Sequence, residues 1–161
     1  MTGAPLSGVR AVLTGAGTFQ VRLDLNGGPL IADEPVTAGG LGSGPSPYEL
    51  LSAGLAGCTA MTLNVYAGRK GWDLTGLEVE VAHARVAGAD RFTRQIRFGT
   101  GLDGDQRARL LDIADRCPVH RTLDGGAEIV TILAADIAPE LGAEPAVQHA
   151  EDMREACAQQ G

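Results

Sequence analysis

Two cysteines stand where thiol chemistry could be done. Cys58 falls inside a long uncharged run, in the segment Gly57-Cys58-Thr59-Ala60-Met61-Thr62. Cys117 is followed by Pro118, Val119 and His120, and Arg116 and Arg121 offer positive charge that would hold it as a thiolate. The thiolate is the nucleophile and the metal ligand, so the question at each cysteine is what would keep it ionised. At Cys58 an apolar helix works the other way, and the residue reads equally as a small apolar filler. Cys157 lies in a polar tail near Glu155 and Gln159 and is read as incidental.

Other chemistries have thinner support. Cys117 and His120 have C-x-x-H spacing, and Cys58 and His83 could complete four metal ligands, but no second close-spaced pair exists. His83 sits on an alternating stretch that suits a satisfied histidine, and His149 lies in the tail with no pattern around it. There is no G-x-S-x-G elbow, and Gly39-Gly40-Leu41-Gly42-Ser43-Gly44 lacks the lysine of a phosphate loop and the strand-to-helix spacing of a dinucleotide fingerprint. No cofactor and no metal are expected.

The elements that must position the cysteines are legible from periodicity. Val9–Leu13, Phe19–Leu25 and Pro29–Ala32 read as a meander of antiparallel strands, the last two joined at Asn26-Gly27. Residues 33–47 are rich in Gly, Pro, Ser and Glu and read as a loop. Ser46, Pro47 and Glu49 form a helix start, with Ser46 as N-cap, Pro47 at the first helical position and Glu49 closing a capping box. From Leu50 to Gly68 there are 19 residues without a charge, and Gly71 is a natural stop. A helix with no charged face is buried all round. Polar and small residues inside the run, and soluble-looking strands on either side, oppose a membrane span. A chain this small can hardly wrap such a helix alone, so a second copy is expected to cover it, with Ala53, Gly54, Gly57 and Ala60 allowing close approach.

Beyond that helix, Leu77–Val86 alternates for ten residues and is answered by Phe92–Phe98 across Gly88-Ala89-Asp90. Asp103–Arg116 reads as a second helix that Cys117-Pro118 closes or kinks, and Ile129–Ala134 as a final strand. Residues 1–138 read as one domain, followed by a polar tail over 139–161 with a weak helical pattern from Pro145 to Gln160. The chain has 161 residues, enough for one core, and its net charge of -7 offers nothing to phosphate backbones or anionic membranes. An odd number of cysteines argues against a disulfide scaffold, and Met1–Arg10 lacks a basic stretch followed by an apolar one. Nucleic-acid and membrane partners are therefore not expected, and a cytoplasmic setting is.

Several blocks together resemble the OsmC/Ohr family (osmotically inducible protein C and organic hydroperoxide resistance protein). They are Asp33-Glu34-Pro35, Gly44 through Leu51, Gly57 through Thr62, Tyr66 through Trp72, and Asp115 through Leu123. The resemblance runs from about Val9 to Ala134 and leaves out the tail after Pro139. It implies an α+β fold, an intertwined homodimer whose antiparallel sheets enclose long central helices. It also implies a thiol peroxidase in which Cys58 matches the attacking cysteine and Cys117 the resolving one. The substrate would be an organic hydroperoxide or hydrogen peroxide, and the reductant an external dithiol, in relatives of the lipoyl type. The organic-hydroperoxide branch flanks its cysteine with an arginine and a glutamate. Those positions fall near Ala16 and at Tyr48 here, so Glu49 is one residue displaced and Arg116, Arg121 or Arg69 would have to serve as the cation. The rival reading is a non-enzymatic module that binds a small molecule or senses redox state through an apolar pocket at the dimer interface.

Overall fold

The computed structural model describes residues 8–131, 133 and 146–159, which fall into two compact units taken separately below. In the first, β1 (Arg10–Leu13), β2 (Val21–Leu25) and β3 (Gly28–Ala32) form an antiparallel meander in that order. Leu25 pairs with Gly28, so Asn26-Gly27 makes the two-residue turn its dipeptide predicts. After a 3-10 turn at Val36–Ala38, the loop closes around Asp33. That carboxylate accepts the backbone N–H groups of Glu34, Leu41 and Ser43 and the Ser43 hydroxyl, at 2.7–3.2 Å. Burial works to raise its pKa, but these donors outweigh burial and hold it below the usual carboxylate range. The loop leads into α1 (Pro47–Lys70), whose capping box is as expected: the Ser46 N–H donates to Glu49 Oε2 at 2.7 Å and the Glu49 N–H to Ser46 Oγ at 3.3 Å.

The second unit is built on the rest of α1. Leu55, Cys58, Thr59, Thr62, Leu63, Tyr66 and Ala67 are buried, a helical stripe of one face. The Thr59 and Thr62 hydroxyls donate to the carbonyls of Leu55 and Cys58, one turn back, which lets polar side chains sit inside. Gly71 ends the helix with φ 67°, the Trp72 N–H reaching the Ala67 carbonyl and the Gly71 N–H that of Gly68. The opposite face is open: Leu51 and Met61 are 45% and 57% exposed, and a Cβ on Gly54 or Gly57 would meet nothing within 4 Å. Within this unit the described residues thus cover one face of the uncharged helix.

β4 (Glu78–Val86) and β5 (Ala89–Arg97) form the expected hairpin. Its turn is tighter than the sequence indicates: Val86 pairs with Ala89, and Ala87 (φ 51°) and Gly88 (φ 84°) make the reversal. A second helix, α2 (Gly104–Ala114), is capped reciprocally by Asp103 and Gln106, and its Leu110, Ile113 and Ala114 pack with Leu63, Tyr66 and Ala67 of α1.

Two expectations for the C-terminal third need correction. Cys117-Pro118 not only closes α2 but opens a further helix, α3 (Pro118–Gly125), with Cys117 as its N-cap. Nor does a strand form at Ile129–Thr131; Ile129 and Val130 are 89% and 72% exposed and pair with no strand among the described residues, and the end of that expected strand lies largely outside them. The tail folds as α4 (Ala146–Ala158) and buries Met153, Ala156 and Cys157, the last within the α1–α2 core. Cys157 is therefore a packing residue rather than an incidental one.

Candidate active site

The site is a consequence of where α1 and α3 present their sulfurs. Cys58 lies on the buried face of α1, and Cys117 stands at the start of α3, where the chain must be extended (φ -61°, ψ 140°) because Pro118 follows. Leu55, Val81, Phe92, Val119 and Leu123 enclose both cysteines, which are 4% and 0% exposed. The two thiols are unbridged, lie in one apolar cluster and act on each other's ionisation.

Each sulfur also faces an amide at the N-terminus of α3. The His120 N–H donates to Cys117 Sγ at 3.3 Å, and the Val119 N–H to Cys58 Sγ at 3.5 Å. First-turn amides have no partner within their helix, and the positive end of the helix dipole favours a thiolate there. A helix N-cap normally carries a side-chain oxygen. Here sulfur does that work, which is why α3 gives no ordinary start signal in the sequence.

The surroundings are unequal. Thr59 Oγ1 lies 3.7 Å from Cys117 Sγ and accepts from Arg94 Nη1 at 2.9 Å. Arg94 also donates to the Ala114 carbonyl at 3.0 Å and pairs with Asp115 at 2.7 Å. The thiol of Cys58, followed by the His120 amide, Thr59 and the Arg94 charge, lowers Cys117 to about 6 against the cost of burial. Cys58 is pushed up, chiefly by its hydrogen bond to Cys117 and then by burial. The two shifts run in opposite directions and favour the negative charge on Cys117 and the proton on Cys58. The Cys58 sulfur also meets His149 Nε2, at 3.4 Å, from α4.

Of the four residues singled out in the sequence, the structure brings Cys58 and Cys117 together. Glu49 is held in the first turn of its own helix, where the Ser46 contacts lower its pKa. Arg116 is half-buried, its backbone N–H on the Ile113 carbonyl; among the described residues its side chain gives neither sulfur a hydrogen bond. The cation beside the pair is Arg94. It had a signal, since Phe92, Arg94, Ile96 and Phe98 share the inward face of β5 and an arginine in that series must find buried partners. His149 had none. The other candidate metal ligands are occupied differently: His83 pairs with Asp90 at 3.0 Å, and His120 contributes its backbone amide.

A cleft of about 280 Å³ is lined by Leu55, Phe92 and Leu123, which also pack against the cysteines, and by Asp90, Arg91, His120 and Asp124. The arrangement can do nucleophilic and redox sulfur chemistry on a small, partly apolar molecule.

The family profile for OsmC-like protein matches residues 40–132, more than half of the chain. Among solved structures, an OsmC-like protein from Mycoplasma pneumoniae is 22% identical with a TM-score of 0.64, covering 78% of this chain and 90% of its own. An organic hydroperoxide resistance protein OsmC from Legionella pneumophila is 21% identical with a TM-score of 0.55, covering 76% and 93%. A search of curated proteins finds no match.

Proposed function

Because the chain belongs to the OsmC-like family, we propose that it is a homodimeric thiol peroxidase that reduces organic hydroperoxides or hydrogen peroxide through Cys58 and Cys117. The observation that carries this reading is the pair of free, enclosed cysteines, each of whose sulfurs faces a first-turn amide of α3. A relative of the same fold is named for organic hydroperoxide resistance, and the apolar wall of the cleft suits the organic part of such a substrate.

The chemistry runs in three steps. Cys58 gives up its proton, and its sulfur attacks the terminal peroxide oxygen. The O–O bond breaks, the other oxygen leaves as an alcohol once protonated, and Cys58 becomes a sulfenic acid, two electrons poorer. Cys117, already a thiolate, then attacks the Cys58 sulfur, forming the disulfide and releasing hydroxide, which leaves as water when protonated. An external dithiol of the lipoyl class reduces that disulfide by exchange and restores both thiols. Reduced cysteines at rest fit a cytoplasmic setting. The partner subunit would cover the open face of α1, where Leu51 and Met61 are exposed and Gly54 and Gly57 meet nothing within 4 Å among the described residues.

The test is peroxide consumption with a dithiol reductant by wild type and by Cys58→Ser. Wild type turns over and the variant falls to background; equal rates overturn the assignment. The protonated, enclosed state of Cys58 favours a second reading, a redox-sensing or small-molecule-binding module. That reading predicts no turnover by wild type, with a ligand saturating the cleft.

A further inference from the structure

α4 lies beyond residues 40–132, the part matched by the family profile, yet it reaches the reacting sulfur. Its placement is not loose: Met153, Ala156 and Cys157 are buried, the Cys157 thiol donates to the Thr62 carbonyl at 3.6 Å, and Arg69 Nη1 donates to the Arg154 carbonyl at 3.1 Å. These contacts dock one helical face on the α1 segment that carries Cys58, and His149, one to two turns before them, puts Nε2 at 3.4 Å from Cys58 Sγ.

The peroxidase cycle leaves a proton unassigned. Cys58 must lose one to attack, and the departing alkoxide must gain one. Cys117 is a poor place to store it, since the His120 amide donates to that sulfur and the Arg94 charge lies near it, both favouring the thiolate. Moreover, Cys117 is needed as a thiolate in the next step. An imidazole in contact with Cys58 meets both demands, since a ring nitrogen can accept a proton from the sulfur and hand it on.

We propose that His149, supplied by the C-terminal helix, is the catalytic acid–base of Cys58. Nε2 takes the thiol proton as the sulfur attacks, and the imidazolium returns it to the alkoxide as the O–O bond breaks. The histidine ends neutral, and the two electrons pass from sulfur to peroxide. This role rests on the peroxidase reading for its second half, but the first half, deprotonation of Cys58, is independent of peroxide.

The experiment uses the full chain, with His149→Gln and His149→Ala beside wild type. Cys58 sulfenate formation with cumene hydroperoxide and Cys58 alkylation by iodoacetamide are each followed by peptide mass spectrometry. Both rates should fall about a hundredfold in both variants, the loss expected for a missing acid–base group. Added imidazole should restore much of the rate in His149→Ala and little in His149→Gln, where the space is filled. Alkylation of Cys157, buried while α4 is docked, reports whether a variant has kept the helix in place. Unchanged or faster Cys58 rates, or a loss that imidazole does not relieve in His149→Ala, overturn the proposal. If wild type forms no sulfenate, the peroxidase reading fails by itself, and alkylation still decides whether His149 deprotonates Cys58.

Discussion

What surrounds each sulfur sets how Cys58 and Cys117 ionise, in opposite directions. Cys117 has an amide, a hydroxyl and a nearby guanidinium, while Cys58 has an amide and an imidazole. Thiolate absorbance should therefore titrate in for one cysteine with a midpoint about pH 6. Arg94→Gln removes the charge and its hold on Thr59, so the midpoint should move upward; an unmoved titration would separate Arg94 from the pair. The stability linkage has two signs. A lowered folded pKa at Cys117 stabilises above the ordinary thiol value of about 8.5 and is lost as pH falls through about 6. A raised one at Cys58 stabilises fully below about 8.5 and is lost at higher pH. Together they predict that the pair's contribution, read as the urea midpoint of wild type minus that of Cys117→Ser, is largest near the ordinary thiol pKa and shrinks on either side.

At the scale of elements, local signals and tertiary demands agree in some places and conflict in others. The capping box at Ser46 and Glu49 and the glycine stop at Gly71 bound α1 where the sequence places them. The β4–β5 hairpin shows a conflict: Ala87 adopts φ 51° so that the strands can pair from Val86–Ala89 onward. A left-handed conformation costs an alanine about 1–2 kcal/mol. Asparagine tolerates it, so Ala87→Asn should stabilise the chain by about 1 kcal/mol, read as a higher midpoint in denaturant with an unchanged slope. α3 escaped notice because its N-cap is a cysteine, and sulfur is not among the usual capping signals. α4 was visible only as a weak pattern, since its few buried residues gain a partner only when α1 is in place.

For the whole molecule, the uncharged helix makes the strongest statement. Its inner face packs into a core with α2, and its outer face leaves Leu51 and Met61 exposed beside Gly54 and Gly57, where a side chain would meet nothing within 4 Å among the described residues. A second copy pressed against that face explains both facts. Sedimentation should then give twice the 16.6 kDa of one chain, and Met61→Glu should yield monomers with an unchanged far-ultraviolet spectrum. A wild-type monomer would remove the homodimer from the proposal. The apolar residues at Ile129 and Val130, which form no strand within the protomer, belong to the same question of what covers exposed apolar chain.

By itself the sequence determined the local elements and the placing of two cysteines in them, because capping, periodicity and turn chemistry act over a few neighbouring residues. It also carried the family resemblance, which rests on short blocks in order. Only the tertiary structure decided what electrostatic company the sulfurs keep. Arg94 is 35 residues from the Thr59 it binds, and His149 is 91 from Cys58. Charge acts through space, falling with distance and rising as water is excluded, so the neighbours that set a thiol's ionisation are chosen by packing. Arg116, adjacent to Cys117 in sequence, gives neither sulfur a side-chain hydrogen bond among the described residues, whereas Arg94, on a strand 23 residues before Cys117, supports its charge.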